Sequence, residues 1–266
     1  MKQKLAGILR ALGLIYVADL ARYNYVLLRN RSRNKAFVQR NPDVALPPPY
    51  MIYETFRLDY ERYFEKGQAS AEWIRDEVSP FLELKDRDIL DWGCGPGRVI
   101  RHMPQVVNNG CRFYGSDYNP DYVQWCSKHL PGISFSKNEL NPPLRYDAAS
   151  FDLIYVISIF THLSEESHRQ WFAELMRVLK PGGILFMTTH GHITRQNLMP
   201  DELEKYDRGM LVVRAHVKEG HRMYAAYQPE PYMHRLFGNE AEILKHKPGA
   251  PQSWGLEQDL WIVRKK

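Results

Sequence analysis

A glycine-rich stretch directly after a short apolar run constrains the fold of this chain more than any other feature. The run Asp88 to Asp91 is predicted to be a buried strand, and it leads into the spacing Gly93-x-Gly95-x-Gly97. Glycines allow a tight strand-to-helix turn, and their missing side chains let a ligand lie against the backbone. The stretch predicts an α/β fold with a nucleotide-like ligand at this turn. Taken alone, it is equally typical of a purely structural turn.

Short apolar runs alternate with helical stretches from residue 88 onward, which is the pattern of βαβ units around a parallel sheet. The predicted strands are Asp88–Asp91, Arg112–Ser116, Ile133–Ser136, Phe151–Ile157, Ile184–Thr188, Ala241–His246 and Asp259–Arg264. The predicted helices among them are Arg98–Gln105, Asp121–Lys128 and Glu165–Leu179. A β-hairpin formed by Met210–Val217 and His221–Tyr227 is predicted as an insertion after the fifth strand.

Three segments are predicted along the chain. Residues 1–40 form a basic amphipathic helical arm, with apolar residues at helical spacing from residue 3 to about residue 30. Residues 41–84 form a proline-rich linker followed by helical stretches at Tyr53–Phe64 and Ala69–Val78, which pack on the core. Residues 85–266 form the main domain, and its segment 193–237 is a lid-like insertion. The tyrosines of that insertion either cover the active site or pack the hairpin onto the sheet.

The positive charge of the chain is concentrated in the arm. The net charge is +5, but residues 1–40 carry nine Lys/Arg against Asp19 alone, which leaves −3 for the remaining body. A body of that charge disfavours a nucleic-acid partner. The arm is expected either to pack on the domain or on another subunit of an oligomer, or to lie on an anionic membrane surface. Its apolar stretch Leu5–Val17 is too short to span a bilayer.

The cysteine content bears on location and on metal binding. Cys94, Cys111 and Cys126 include no Cys-x-x-Cys pair, so neither a disulfide framework nor a zinc site is expected. This usage favours the reducing cytoplasm, and the basic arm adds the inner membrane surface as a peripheral location.

Polar residues follow the next three predicted strands, where ligands of open α/β sheets bind. Asp117 closes the second strand and can accept hydrogen bonds from ribose hydroxyls, although it can equally cap the following helix. Asn138 or Glu139 can meet an adenine amine after the third strand, while the faces of the ring are covered by Leu140 and Tyr118. The loop that begins at Ser158 follows the fourth strand and contains His162.

Three stretches in sequence resemble the signature of class I S-adenosylmethionine-dependent methyltransferases. They are Ile89-Leu90-Asp91-Trp92-Gly93-Cys94-Gly95-Pro96-Gly97, Ser150-Phe151-Asp152-Leu153-Ile154 and Arg177-Val178-Leu179-Lys180-Pro181-Gly182-Gly183. The resemblance implies a doubly wound, seven-stranded, mostly parallel sheet with an antiparallel last strand. It assigns Asp91 and the glycine loop with Cys94 to the methionine end of the cofactor, Asp117 to the ribose, and Asn138 or Glu139 with Leu140 to the adenine. Asn138 departs from the family pattern, where an acid is commoner.

Two related functions are disfavoured by particular residues. Arg98 occupies the position where a dinucleotide-binding fingerprint needs its last glycine, which argues against a dehydrogenase. Asn141-Pro142-Pro143-Leu144 mimics a motif of DNA-base methyltransferases, but it precedes the fourth strand and lacks the aromatic residue that stacks on a flipped base. A cap and turn is the preferred interpretation of that motif.

The leading hypothesis is methyl transfer to an oxygen or nitrogen of a small molecule, a glycan precursor or a lipid precursor. His162 is the first candidate for a general base, since imidazole accepts protons near neutral pH, although it can instead cap a helix or position the cofactor. His190 and His192 are weaker candidates, and no metal site is predicted. The alternative hypothesis is an inactive cofactor-binding scaffold that acts through its N-terminal helix.

Overall fold

The computed structural model describes residues 15–215, 217, 219–220, 224–253 and 255–266. The chain divides into two compact units, at residues 1–67 and 68–266. The first part of the predicted arm helix, residues 3–14, and parts of the predicted hairpin lie outside the described residues.

The first unit is built around helix α1 (Ile15–Arg40). This helix was expected to end near residue 30, but it continues to Arg40 because no helix breaker occurs before Pro42. Its C-terminal half is also held in place: the side-chain amides of Asn30 and Asn34 both donate to the carbonyl of Leu58.

Two further helices follow, α2 (Pro49–Thr55) and α3 (Tyr60–Val78). Their bounds differ from the helical stretches predicted at Tyr53–Phe64 and Ala69–Val78. The chain breaks between them because Arg57 and Leu58 adopt left-handed backbone angles, with φ of 32° and 48°.

The second unit contains a seven-stranded sheet in the order β3-β2-β1-β4-β5-β11-β8. Its strands are β1 (Asp88–Trp92), β2 (Arg112–Asp117), β3 (Ile133–Lys137), β4 (Phe151–Val156), β5 (Leu179–Thr189), β8 (Ala241–Lys247) and β11 (Asp259–Lys265). Strand β11 is antiparallel to both β5 and β8, while the remaining neighbours pair in parallel. The predicted fold class is confirmed.

Both faces of the sheet are covered, so its strands are apolar almost throughout. The side chain of Ile89 packs on one face with α3, whereas the neighbouring Leu90 packs on the other face. Helices α6 (Glu165–Val178) and α8 (Glu230–Phe237) cover the second face. After β1, a short 3-10 turn (Ile100–His102) and α4 (Met103–Val106) replace the single predicted helix, and α5 (Pro120–His129) follows β2.

A cluster of charges ties together the strand ends opposite the glycine loop. Asp88 accepts hydrogen bonds from Arg112 at 2.7 Å and from Lys180 at 3.1 Å, and Lys180 also reaches Asp152 at 2.6 Å. Asp152 further accepts from Arg87 and from the backbone N–H of Asp88. Such half-buried networks fix the relative register of strands more effectively than isolated surface pairs.

The insertion after β5 is more helical than predicted. It contains a 3-10 turn (His192–Asn197), helix α7 (Pro200–Asp207), and a hairpin of β6 (Val212–Arg214) and β7 (Ala225–Tyr227). The hairpin strands pair in antiparallel fashion, as predicted. A small ribbon of β9 (Pro251–Gln252) and β10 (Gly255–Leu256) precedes β11. Within the described residues, no helix combines the length and apolar character needed to cross a membrane.

Candidate active site

The glycine loop turns sharply above the end of β1. The N–H groups of Gly93 and Cys94 both donate to the carbonyl of Ser116 on β2, at 2.7 and 3.1 Å. Gly93, Gly95 and Gly97 have φ of 82°, 53° and 76°, which side chains disfavour. The space at Gly93 is also closed to a side chain, because a Cβ there would lie 2.3 Å from Cδ1 of Ile159. Both conditions require glycine at this turn.

Asp117 joins this loop to the end of β2. Its side chain accepts the Gly95 N–H on Oδ2 and the Asn119 N–H on Oδ1, both at 2.8 Å. The residue is only 6% exposed, and this burial raises the pKa of its carboxyl to about 6, against the lowering effect of the backbone donors. Each carboxylate oxygen retains a lone pair that can accept a ligand hydroxyl.

A cavity lies between the glycine loop and the carboxyl ends of β2, β3 and β4. Its floor is aromatic: the rings of Trp92 and Trp171 lie 4.5 Å apart between centroids. The remaining described lining comes from Gly93, Asp117, Tyr118, Asn138, Glu139, Leu140, Ile159, His162, Leu163 and Gly220. Seven of the predicted site residues therefore meet here, from loops that are up to 69 residues apart in sequence.

The other predicted site residues lie outside this lining. Asp91 is buried within β1, and its burial together with the nearby Asp117 raises the pKa of its carboxyl to about 7. Cys94 is also buried, with its Sγ 3.5 Å from the carbonyl of Gly95, and burial raises the pKa of its thiol. Gly95 and Gly97 shape the loop. Their contact with the cofactor stays a prediction.

The residues after β3 differ in their freedom to meet a ligand. The amide of Asn138 is occupied on both sides, since Oδ1 accepts from Ser116 and Nδ2 donates to the carbonyl of Glu139, each at 2.7 Å. The side chain of Glu139 is largely exposed and pairs with Lys137 at 2.8 Å. Glu139 thus has the more accessible polar group for an adenine amine.

Ser158 is held in an unusual conformation directly after β4. Its φ is 64°, in the left-handed region, and its N–H donates to Oγ1 of Thr188 at 2.9 Å. Gln258 bridges the two residues: its Nε2 donates to Oγ of Ser158 at 2.8 Å, and its Oε1 accepts from Thr188 at 2.7 Å. A left-handed backbone conformation is strained for a serine. Such strain persists where several surrounding contacts hold the residue in place, which often occurs at functional sites. Gln258 and Thr188 were not singled out from the sequence, because 70 residues separate them.

The inserted hairpin meets the cavity at its tip. Gly220 lines the cavity, and its N–H donates to the carbonyl of His162 at 3.0 Å. Its own carbonyl lies 3.4 Å from the hydroxyl of Tyr118. Glu219 accepts the N–H of Ser164 at 2.6 Å, where it adds an acidic group to the first turn of α6. The hairpin tip thus links the loops after β2 and β4 across the cavity.

His162 lines the cavity and is oriented by the same hairpin. Its Nδ1 lies 2.7 Å from the carbonyl of Tyr224. Since a carbonyl only accepts hydrogen bonds, Nδ1 is the donor in this contact. His190 is held in the same manner, with its Nδ1 3.0 Å from the carbonyl of Ala226.

The charge of the described lining fits S-adenosylmethionine. It contains the carboxyl groups of Asp117 and Glu139 but neither Lys nor Arg, so it suits a ligand that is cationic and lacks phosphate. Gly93 lines the cavity with its backbone on the side away from Ile159, so a ligand can approach it there, and Asp117 can accept ribose hydroxyls. S-adenosylmethionine has these properties, and when bound it supplies an electrophilic methyl group.

Comparison with known proteins also points to methyltransferases. Residues 89–183 match the model of a family described as a methyltransferase domain. The tRNA N(3)-methylcytidine methyltransferase trm140 of Schizosaccharomyces pombe is 26% identical over 82% of this chain and 73% of its own length. A tRNA (carboxymethyluridine(34)-5-O)-methyltransferase of Arabidopsis thaliana is 32% identical over 59% of this chain. The chain spans only 36% of the length of that second relative.

A solved structure agrees with the fold. The 1,6-didemethyltoxoflavin-N1-methyltransferase of Burkholderia thailandensis, crystallised with 1,6-didemethyltoxoflavin and S-adenosylhomocysteine, superposes with a TM-score of 0.53 at 16% identity. The match covers 84% of this chain and 93% of that one. Residues 89–183 therefore match a methyltransferase domain, and the fold is the one that the motifs predicted for a class I S-adenosylmethionine-dependent methyltransferase; both findings support S-adenosylmethionine as the cofactor.

Proposed function

We propose that this protein transfers a methyl group from S-adenosylmethionine to an oxygen or nitrogen atom of a small molecule, a glycan precursor or a lipid precursor. The observation that carries the proposal is the cavity in which Asp117 and the glycine loop face the ring of His162. A donor held by the first two would meet an acceptor beside a proton-accepting imidazole. Positioning of the two reactants supplies much of the acceleration in such displacements.

Cofactor binding tests the first half of the proposal. Calorimetry with S-adenosylmethionine should give binding that Asp117→Ala weakens about tenfold or more, since a charge-assisted hydrogen bond contributes roughly 1.5–3 kcal/mol. Asp121→Ala is the matched control, because Asp121 is an exposed acid in the first turn of α5. Equal loss in both variants would contradict the role of Asp117.

Methyl incorporation tests the second half. The full chain is incubated with radiolabelled S-adenosylmethionine and fractionated cell extract, and the product is identified by mass analysis. An inactive scaffold would bind the cofactor and label nothing. Its N-terminal helix would then carry the function.

A nucleic-acid acceptor is the second candidate, and the names of two relatives favour it, because both refer to tRNA. The expectation against nucleic acid, which rested on the −3 charge of the body, is therefore not retained. Digestion of the extract with ribonuclease before incubation separates the candidates: labelled product that disappears identifies RNA, while product that persists supports the small-molecule or lipid acceptor.

For α1, we propose peripheral contact with an anionic membrane. Val17, Leu20, Tyr25 and Leu28 are each more than half exposed on this helix, and basic residues such as Arg22 lie among them. Exposed apolar residues with basic flanks are typical of helices that lie on anionic lipid. The contact would be made by the predicted 1–40 arm. The division of the chain into that arm, a 41–84 linker and an 85–266 domain stays a prediction.

Vesicle sedimentation tests that contact. Vesicles containing phosphatidylserine should retain the full chain at low salt, whereas phosphatidylcholine vesicles should not. Leu20→Glu should weaken retention, while Ala36→Glu, an exposed change on the same helix outside the apolar group, is a control of equal charge. Retention that is unaffected by Leu20→Glu would overturn the proposal, and self-association lost in that variant would instead identify an oligomer interface.

A further inference from the structure

A groove separate from the cofactor cavity lies between helices α6, α7 and α8. Its volume is about 520 Å³, and none of its described lining residues also lines the cavity at the glycine loop. Sites for small molecules are usually concave, with volumes of about 300–1,000 Å³. The groove is therefore large enough for a second ligand of that size.

The apolar part of the groove consists of four side chains. Met210 is 43% exposed there, although methionine is usually buried. Leu211 and Leu236 are half-buried, and they pack on the hydrophobic core that covers the second face of the sheet. The ring of Tyr232 completes this apolar lining. A ligand chain laid on these side chains would remove apolar surface from water, which is favourable.

Tyr232 is held in the wall of the groove by a buried hydrogen bond. Its hydroxyl lies 3.0 Å from Nδ1 of His168, whose Nε2 lies 2.6 Å from the carbonyl of Phe160. The carbonyl only accepts, so Nε2 of His168 is the donor there, and burial lowers the pKa of His168 to about 4. The ring is therefore neutral at physiological pH, and its Nδ1 accepts from the hydroxyl of Tyr232. A wall fixed in this way lowers the cost of ordering the site when a ligand binds.

Three basic residues line the groove, and two of them have no acidic partner. Arg169 forms ion pairs with Glu165 at 3.0 Å and with Glu166 at 2.8 Å. Within the part of the chain that the structure describes, no carboxylate pairs with Lys205 or Arg235. Glu165 is the single acid of the described lining. The groove thus has a net positive charge, on a body that is otherwise slightly negative.

The two cations without acidic partners both lie at the C-terminal end of α7. Lys205 is in the last turn of this helix, and the guanidinium of Arg235 donates to the carbonyl of Gly209, two residues beyond it. That bond uses one of the five N–H donors of an arginine side chain, so further donors remain for a ligand. A phosphate monoester carries a charge of about −1.5 to −2 at neutral pH, which complements two cations.

We propose that this groove binds one amphiphilic molecule, with an alkyl or acyl chain on the apolar side chains and a phosphate group at Lys205 and Arg235. The occupant is a single molecule rather than a membrane surface, because the groove is concave and is enclosed by three helices. The cofactor cavity disfavours the same ligand, since its described lining contains carboxyl groups but neither Lys nor Arg. The inference goes beyond the proposed function and requires no assumption about the methyl acceptor.

NMR of isotope-labelled methionine methyl groups locates the ligand in the full chain. Met210→Leu assigns the signal of Met210, and dodecyl phosphate, kept below its micelle concentration, should shift that signal in a saturable manner. Met199 is the internal reference, because it is 51% exposed but does not line the groove. A Met210 signal that does not respond, or that responds no more than the Met199 signal, would overturn the proposal.

Charge reversal tests the phosphate position. Lys205→Glu should weaken the affinity for dodecyl phosphate at least about fivefold, because attraction to one of two neighbouring cations is replaced by repulsion. Lys128→Glu, on the exposed surface of α5, is the matched control and should change the affinity less than about twofold. Leu20→Glu should also leave the affinity unchanged, which separates this groove from the membrane contact of α1. Equal weakening by Lys205→Glu and Lys128→Glu would mean that overall charge attracts the ligand, and would overturn the assignment.

Two other ligands test the chain and the head group separately. Dodecyltrimethylammonium has the same chain with the opposite charge, and butyl phosphate has the same head group with a shorter chain. Each should bind at least about tenfold more weakly than dodecyl phosphate. Equal affinity for dodecyltrimethylammonium would overturn the phosphate position, and equal affinity for butyl phosphate would overturn the role of the apolar side chains.

A second copy of the chain is the competing occupant. A Met210 signal that moves with protein concentration, and does not respond to dodecyl phosphate, would identify the groove as a contact between two copies and would overturn the ligand site. None of these measurements depends on methyl transfer, so failure of this proposal leaves the proposed function intact, and the reverse also holds.

Discussion

Substitution of Gly93 by alanine separates two reasons for a glycine in the cofactor loop. The backbone reason is φ of 82°, where a residue with a Cβ loses about 1–2 kcal/mol. The packing reason is the predicted Cβ position, which lies 2.3 Å from Cδ1 and 2.4 Å from Cγ1 of Ile159. Relief of that overlap requires a shift of more than 1 Å in a branched side chain, which costs about 0.5–1.5 kcal/mol as an off-rotamer conformation. Gly93→Ala should therefore lower the free energy of unfolding by about 1.5–3.5 kcal/mol.

A matched control exists in the same unit. Gly132 has φ of 80°, nearly the same as Gly93, but a Cβ there would meet nothing within 4 Å. Gly132→Ala should lose only the backbone contribution, about 1–2 kcal/mol. The difference between the two substitutions isolates the overlap with Ile159.

Urea unfolding of four variants measures both contributions: Gly93→Ala, Gly132→Ala, Ile159→Ala and the double variant Gly93→Ala with Ile159→Ala. In the Ile159→Ala background, the cost of Gly93→Ala should fall by about 1 kcal/mol, which is the coupling expected between residues in contact. Equal costs for Gly93→Ala and Gly132→Ala, or an undiminished cost of Gly93→Ala in the double variant, would refute the packing argument.

Three further predictions concern charge and positioning. Asp91→Asn should stabilise the protein by roughly 2 kcal/mol more at pH 8 than at pH 5. The pKa of Asp91 is raised to about 7 in the folded state, so the folded state loses stability as the pH rises from about 4 to about 7. Asparagine does not ionise, so the variant does not suffer that loss. Denaturant titrations at the two pH values measure it, and a pH-independent difference would contradict it. Asp152→Asn should lower the free energy of unfolding by about 2–3 kcal/mol, since it leaves Lys180 and Arg87 without their shared carboxylate. Denaturant unfolding that shows a loss below about 0.5 kcal/mol, the scale of an ordinary surface substitution, would mean that these charges act only as surface pairs. Gln258→Ala should lower methyl incorporation about tenfold with little change in cofactor affinity, because it releases Ser158 from its clamp; parallel losses of rate and affinity would point to general disruption instead.

The central sheet could be predicted from the sequence because its strands are buried on both faces. Such strands are nearly continuous apolar runs, and the glycine loop marks where the first one ends. The start of β5 was missed for a local reason. Pro181-Gly182-Gly183 was interpreted as the stop between helix and strand, but the strand begins at Leu179, and its register against β4 shifts across those residues. A bulge of this kind leaves no periodic signal.

The helical boundaries before the sheet depended on a backbone feature that composition does not reveal. Leu58 is an apolar, fully buried residue, yet it has φ of 48° and ends the helical pattern there. Its carbonyl is instead satisfied by Asn30 and Asn34 from α1. Residues distant in sequence thus stabilise a local conformation that propensity alone disfavours.

The cofactor side and the acceptor side of the site differ in how far sequence reasoning reaches. The residues predicted to bind the cofactor follow strand ends directly, so their positions are fixed by topology once the strands are known. The orientation of the two histidine rings depends on the insertion, where Tyr224 and Ala226 contribute only backbone carbonyls. A carbonyl is common to every residue type, so no sequence motif marks it as the partner of a histidine. The sequence did offer two histidines after the fourth and fifth strands, His162 in the following loop and His190 directly after Thr189, and only the path of β7 reveals that both rings contact its carbonyls. The insertion meets the cavity at Gly220, so the acceptor of the proposed reaction is expected to depend on this insertion rather than on the motif at Gly93.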